Sequence, residues 1–264
     1  YYREGLALKQ RVLGPDDPAV ANAMLHLGDL LREHKGESDE AEALYRSALA
    51  IQRRTLGDDH LAMVHTLGSL ASLFAERGDI ATAESLQYEV LALQTKVLGT
   101  EHPAVAGTLG ALGDLLSEHG RYDEAEPLIE RALGIYRRTL GDRHYAVAST
   151  LGQLAKLHML RGDYATAERL YRDVLERRLR AVGPEHSLVA LDKANLADLL
   201  TRRGQYDESE RLLEEALANL RTDHTDDHVN VRRVFRGLAQ LYEAWGKPQE
   251  AERYQRLARG QSER

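Results

Sequence analysis

Residues 103–141 read PAVAGTLGALGDLLSEHGRYDEAEPLIERALGIYRRTLG. Val105, Leu109, Leu112, Leu115 and Leu116 recur at three- and four-residue spacing, the period of one buried helix face. Gly120, within His119-Gly120-Arg121-Tyr122-Asp123, ends that helix. Asp123 then serves as N-cap or first-turn acid for a second helix. Its apolar positions are Ala125, Leu128, Ile129, Ala132, Leu133 and Tyr136, and it closes at Leu140-Gly141. Pro127 is expected in its first turn, where a missing N–H does least harm. The stretch therefore predicts a pair of helices, here called A and B.

The pair recurs. His60, His102, His144, His186 and His228 stand 42 residues apart. Leu56-Gly57, Leu98-Gly99, Leu140-Gly141 and Val182-Gly183 precede the first four. Leu13-Gly14 lies one residue further back than the period predicts, an extra residue being placed near Lys35-Gly36. The A–B turn repeats as Gly78-Asp79, Gly162-Asp163, Gly204-Gln205 and Gly246-Lys247. Behind each turn comes a small residue and then Glu: Ala41-Glu42, Ala83-Glu84, Ala125-Glu126, Ala167-Glu168, Ser209-Glu210 and Ala251-Glu252. The small side chain is expected to let helix B approach helix A, and the Glu to face water. Such periodicity marks stacked supersecondary units, so a right-handed, all-α solenoid of antiparallel helix pairs is predicted. A single array covers 1–264, with repeats at 18–57, 61–99, 103–141, 145–183, 187–222 and 229–260. Residues 1–14 form a partial repeat of helix B alone, since Tyr2–Gly14 matches Tyr45–Gly57. The sequence thus reads as starting inside a repeat. An excised piece of a larger protein and a natural C-terminal cap with the polar tail Gly260–Arg264 compete, and the half-repeat favours excision.

Composition narrows the function classes. The chain has no cysteine, which excludes disulfides, thiolate catalysis and Cys-based zinc sites. A net charge of −7 gives no reason to expect nucleic acid or an anionic membrane as partner. No apolar run approaches the ~20 residues of a membrane span, and no signal peptide is evident; a cytoplasmic location is expected.

The motif set resembles the tetratricopeptide repeat, in the longer form found in kinesin light chains. The matching residues are Leu98-Gly99-Thr100-Glu101-His102-Pro103, then Thr108-Leu109 with Leu112, then Gly120 through Leu128. The resemblance recurs along nearly the whole chain. It implies a protein-interaction scaffold rather than an enzyme, with a protein or peptide ligand on a concave face lined by A helices. A different class is an alternative: the sensor or regulatory region of a larger signalling NTPase or protease. Self-association through the end helices is a third expectation.

Other patterns have plainer explanations. Consecutive ladder histidines would lie about a helix diameter, ~10 Å, apart, too far to share a metal ion. Each imidazole is expected to bond nearby backbone instead. Arg77-Gly78-Asp79 and Arg161-Gly162-Asp163 spell an adhesion tripeptide, but both fall at the A–B turn, where glycine followed by a helix-starting aspartate is expected anyway. Gly107, Gly110 and Gly113 lie inside a helix and form no dinucleotide fingerprint. No catalytic constellation, cofactor site or metal site is predicted.

Kinesin light chains typically carry two adjacent Asn on helix A that can clamp a peptide backbone. Here the paired positions read Leu25-His26, Gly68-Ser69, Gly110-Ala111, Gly152-Gln153, Ala194-Asn195 and Arg236-Gly237. Only Asn195 remains, so cargo specificity does not carry over. Gly68, Gly110 and Gly152 imply close approach by a bound segment or by the neighbouring helix, the latter preferred. The candidate groove residues are Asn22, Asp29, His65, Asp114, Lys156, Asn195, Arg233 and Arg236. Acids (Asp29, Glu33, Glu76, Asp114, Glu118) precede bases (Lys156, Arg202, Arg233, Arg236) along the A helices. This is either a bipolar groove or a coincidence of solvated charges.

Overall fold

The computed structural model describes residues 1–33, 38–223, 225–226 and 228–260, without the side chains of Glu33 and Asp223. The extra residue near Lys35-Gly36, the charge of Glu33 and the tail from Gln261 to Arg264 lie outside the described residues.

Two compact units result, Tyr1–His119 and Gly120–Arg264. The first holds α1 (Tyr2–Leu13), α2 (Pro18–Glu33), α3 (Ser38–Leu56), α4 (Met63–Glu76), α5 (Ile80–Leu98) and α6 (Pro103–Glu118). The second holds α7 (Tyr122–Leu140), α8 (Tyr145–Arg161), α9 (Tyr164–Val182), α10 (Ser187–Arg202), α11 (Tyr206–Asp223), α12 (Val229–Ala244) and α13 (Pro248–Ala258). All regular structure among the described residues is helical, and within each unit consecutive helices pack on one another. Even-numbered helices are the A helices of the sequence, odd-numbered ones the B helices.

Each junction is specified locally. Nδ1 of His60, His102, His144, His186 and His228 accepts the backbone N–H two residues on, at 3.1–3.2 Å; the last four cap α6, α8, α10 and α12, while His60 stands two residues before Ala62, the N-cap of α4. That satisfies one donor that a helix start leaves without a partner. In the first repeat Asp17 does the same job for Ala19, at 2.8 Å. Asp79 and Asp163 cap α5 and α9 through the amides of Thr82 and Thr166. The turn before α9 needs Gly162, whose φ of +91° suits no L side chain.

Two expectations change. Helix α7 begins at Tyr122, with Arg121 at the N-cap, so Asp123 is a first-turn acid. Pro127 is therefore the sixth helical residue, past the first turn, and removes an internal N–H bond. At four of the six positions the Glu behind the small residue is also not simply solvated. Glu42 accepts from Arg77 at 2.5 Å and Glu126 from Arg161 at 2.7 Å, while Glu168 pairs with Arg203 and Glu210 accepts from the Tyr242 hydroxyl at 2.7 Å. Arg77 also reaches Asp39, and Arg161 reaches Asp123. The arginines of both adhesion-like tripeptides are thus spent holding the preceding repeat. Each such exposed pair contributes little energy, but two-acid forks fix the register of neighbours.

The small position itself behaves as expected. Ala41, Ala83, Ala125, Ala167 and Ser209 are fully buried and Ala251 nearly so. Ser209 satisfies its extra hydroxyl on the Ala197 carbonyl, at 2.8 Å, and on Thr201.

Candidate functional site

In the first unit, Asp29 on α2 joins three elements. Its Oδ1 accepts from the Tyr45 hydroxyl of α3 at 2.8 Å and from the Ser69 hydroxyl of α4 at 3.0 Å. His65 Nε2, also on α4, lies 3.4 Å from Oδ2. Burial, and then the Asp29 bond, push the Tyr45 phenol well above its ordinary range, so it stays a donor. Ser69 and His65 both address the carboxylate, an arrangement that braces α4 against α2 rather than activating the serine. Asn22 is exposed on α2, His65 is exposed, and Asp114 is half-buried on α6.

In the second unit, Arg233 of α12 donates to Asn195 Oδ1 of α10 at 2.6 Å. Arg236 is exposed, and its described contact is a long 3.4 Å bond to the Arg232 carbonyl. Lys156 is half-buried on α8. The candidates therefore meet in two pairs, Asp29 with His65 and Asn195 with Arg233.

Two of the three glycines, Gly68 and Gly152, differ from the preferred expectation, while Gly110 is buried. A Cβ added at Gly68 or Gly152 would meet nothing within 4 Å, so no neighbouring helix requires them. Gly28 and Gly237 do pack closely: a Cβ at Gly28 would sit 2.6 Å from the Tyr45 ring, and one at Gly237 3.0 Å from Leu213. Gly68 and Gly152 instead leave bare backbone on their A helices.

One buried feature went unseen in the sequence. Thr66 donates to Gln52 at 2.9 Å and Thr108 to Gln94 at 2.7 Å, each pair 14 residues apart and buried. At the same spacing Arg178 and Asp192 form a buried ion pair at 2.8 Å. Burial nevertheless raises the Asp192 carboxyl above the ordinary range, against the pull of Arg178. The constant 14-residue spacing was the available signal. A cleft of about 520 Å³ opens beside this pair, between Arg143, Tyr145, Ala148, Val182 and Leu188. Most of its guanidinium groups are engaged: Arg177 by Asp142 and Asp173, Arg178 by Asp192, and Arg180 by Glu176.

Among the described residues, no group of three His, Asp or Glu is arranged to hold a metal ion, and no helix is long and apolar enough to cross a membrane. The tetratricopeptide repeat model matches residues 1–53, 31–96, 63–138, 120–180 and 187–262. The chain belongs to the tetratricopeptide repeat family. Proteins with this fold generally mediate protein–protein interactions and are typically non-enzymatic. Among solved structures, the kinesin light chain-type TPR-like repeats of Podosopora anserina are 26% identical, with a TM-score of 0.60 over 76% of this chain and 95% of that one. BtubC (BKLC) of P. vanneervenii is 25% identical, with a TM-score of 0.63 over 92% and 90%. A tetratricopeptide repeat protein of Parabacteroides merdae has a TM-score of 0.69 over 98% and 85%, and at 19% identity speaks for the fold alone. No curated protein matches the chain. The TPR assignment leaves the ligand open, since the usual Asn pairs are replaced.

Proposed function

We propose that this TPR protein is an interaction scaffold that holds an extended peptide segment on its A-helix faces, and that the face of the second unit takes an acidic segment. The observation that carries this is the Arg233–Asn195 bond. It occupies the asparagine carbonyl, so Asn195 presents its NH₂ donors, beside the guanidinium groups of Arg233 and Arg236. A surface dominated by donors suits carboxylates. The bare backbone at Gly152, two repeats earlier, supports close approach by a ligand main chain.

The test is selection from a displayed random-peptide library on the intact chain and on Arg233→Glu/Arg236→Glu. Enrichment of Asp- and Glu-rich peptides is expected for the native protein, with more than tenfold loss and a flatter salt dependence for the variant. Identical enrichment on both would sink the reading.

A further inference from the structure

The cleft of about 520 Å³ in the second unit lies at a junction whose charges depart from the repeat pattern. The residue before each ladder histidine is acidic in four repeats, Asp59, Glu101, Glu185 and Asp227, and basic in one, Arg143. The role of the acid is visible at Asp59, which accepts from Lys96 at 2.6 Å and so ties the loop before α4 to the last turn of α5, 37 residues on. The residue 37 beyond Arg143 is Arg180. Two like charges thus replace an ion pair at this register, and both line the cleft. Arg180 turns back to Glu176, one turn away on its own helix. The neighbouring carboxylates are matched, Asp142 and Asp173 by Arg177 and Asp192 by Arg178. Arg143 has no partner among the described residues.

His144 adds a donor to the lining. Its Nδ1 accepts the Ala146 amide, so the neutral ring carries its proton on Nε2. The remaining wall is apolar, with exposed surface of Tyr145, Val182 and Leu188. Leu188 stands where the three preceding repeats carry Ala62, Ala104 and Ala146.

We propose that this cleft binds a small carboxylic acid with a ring-bearing apolar body. The carboxylate supplies the charge that Asp59 supplies in its own repeat: it bridges Arg143 and Arg180, with the His144 Nε2–H as a further donor. The body covers Tyr145, Val182 and Leu188, and a flat ring suits the Tyr145 face. The volume falls within the ~300–1,000 Å³ of small-molecule sites. Releasing Arg180 from its exposed pair with Glu176 costs little. The site uses none of the residues of the Arg233–Asn195 face and does not rest on the function proposed above.

The probe is 3-phenylpropionate, titrated into the ¹⁵N-labelled chain and followed by two-dimensional NMR. Saturable shifts are expected at residues 143–148, 180–182 and 188, and none with 3-phenylpropionamide, which keeps the ring and lacks the charge. Arg143→Glu, an exposed position returned to the acid of the other repeats, weakens binding by about tenfold or more while the thermal midpoint holds or rises, since the new carboxylate can pair with Arg180. Leu188→Ala weakens binding several-fold, and Arg233→Glu/Arg236→Glu leaves it unchanged. N-acetyl-Gly-Gly-Phe with a free carboxyl end separates two sources of the same chemistry: binding much tighter than that of 3-phenylpropionate assigns the site to a polypeptide C-terminus, and equal or weaker binding to a free acid. The proposal is overturned if acid and amide bind alike, if Arg143→Glu binds as the native chain does, or if the shifts saturate nowhere near the cleft.

Discussion

A histidine is an uncommon helix cap, yet here the same position serves four A helices. It works because a neutral imidazole keeps a lone pair on Nδ1. Asp17 shows that a carboxylate fits the same geometry. His228→Ala should therefore cost about 1 kcal/mol in urea unfolding, whereas His228→Asp should retain or slightly raise stability through the helix dipole. Equal losses for both would show that the ring acts by packing instead. The glycines permit a second contrast. Gly68→Ala and Gly152→Ala face open space in a helix interior, so each should stabilise by about 0.5–1 kcal/mol. Gly28→Ala meets the Tyr45 ring and should destabilise despite its better helix propensity. Thermal melts of the three variants separate helix propensity from packing.

Between elements, one buried register position changes chemistry along the chain. It is a neutral Gln–Thr bond twice and the Arg178–Asp192 ion pair once. A buried ion pair loses much of its attraction to desolvation, while a half-removed pair leaves an uncompensated charge. Asp192→Ala alone should cost about 3–5 kcal/mol, since Arg178 stays buried. The double change Arg178→Gln/Asp192→Thr copies the Gln52–Thr66 pair and should be neutral or stabilising by about 1–4 kcal/mol. The pH dependence follows from the raised Asp192 carboxyl. Its contribution is most favourable when it is protonated, below the ordinary carboxylate range, and fades as pH rises through the raised value. The advantage of the double variant over the native chain should therefore grow with pH across that window, measured as urea midpoints. A double variant less stable than the native chain at neutral pH would refute the argument.

At the scale of the molecule, packing runs between neighbouring helices, so stability is a sum of repeat and nearest-neighbour terms. Phe235 is fully buried among α10–α13 residues, near Leu238, Tyr242 and Tyr254. Phe235→Ala should cost about 3–5 kcal/mol locally. Hydrogen exchange by mass spectrometry should show lost protection in α10–α13 and none in α2–α5. Uniform loss along the chain would mean global cooperativity rather than additive repeats.

The sequence by itself determined the helix pairs, their turns and the bonding of the ladder histidines to nearby backbone. Those features depend on contacts a few residues apart, and the 42-residue period makes each of them visible several times. It also named Asn195 and Arg233, though not as partners. Only the tertiary structure decided where the polar side chains go, because their partners lie 35 or more residues away: Arg77 on Glu42, Ser69 on Asp29, Arg233 on Asn195. The same holds for the glycines. A glycine on a helix looks alike in sequence whether a tyrosine ring presses on it, as at Gly28, or open space adjoins it, as at Gly68. Which of the two applies is set by the helix packed alongside, and a list of residues does not carry that distance.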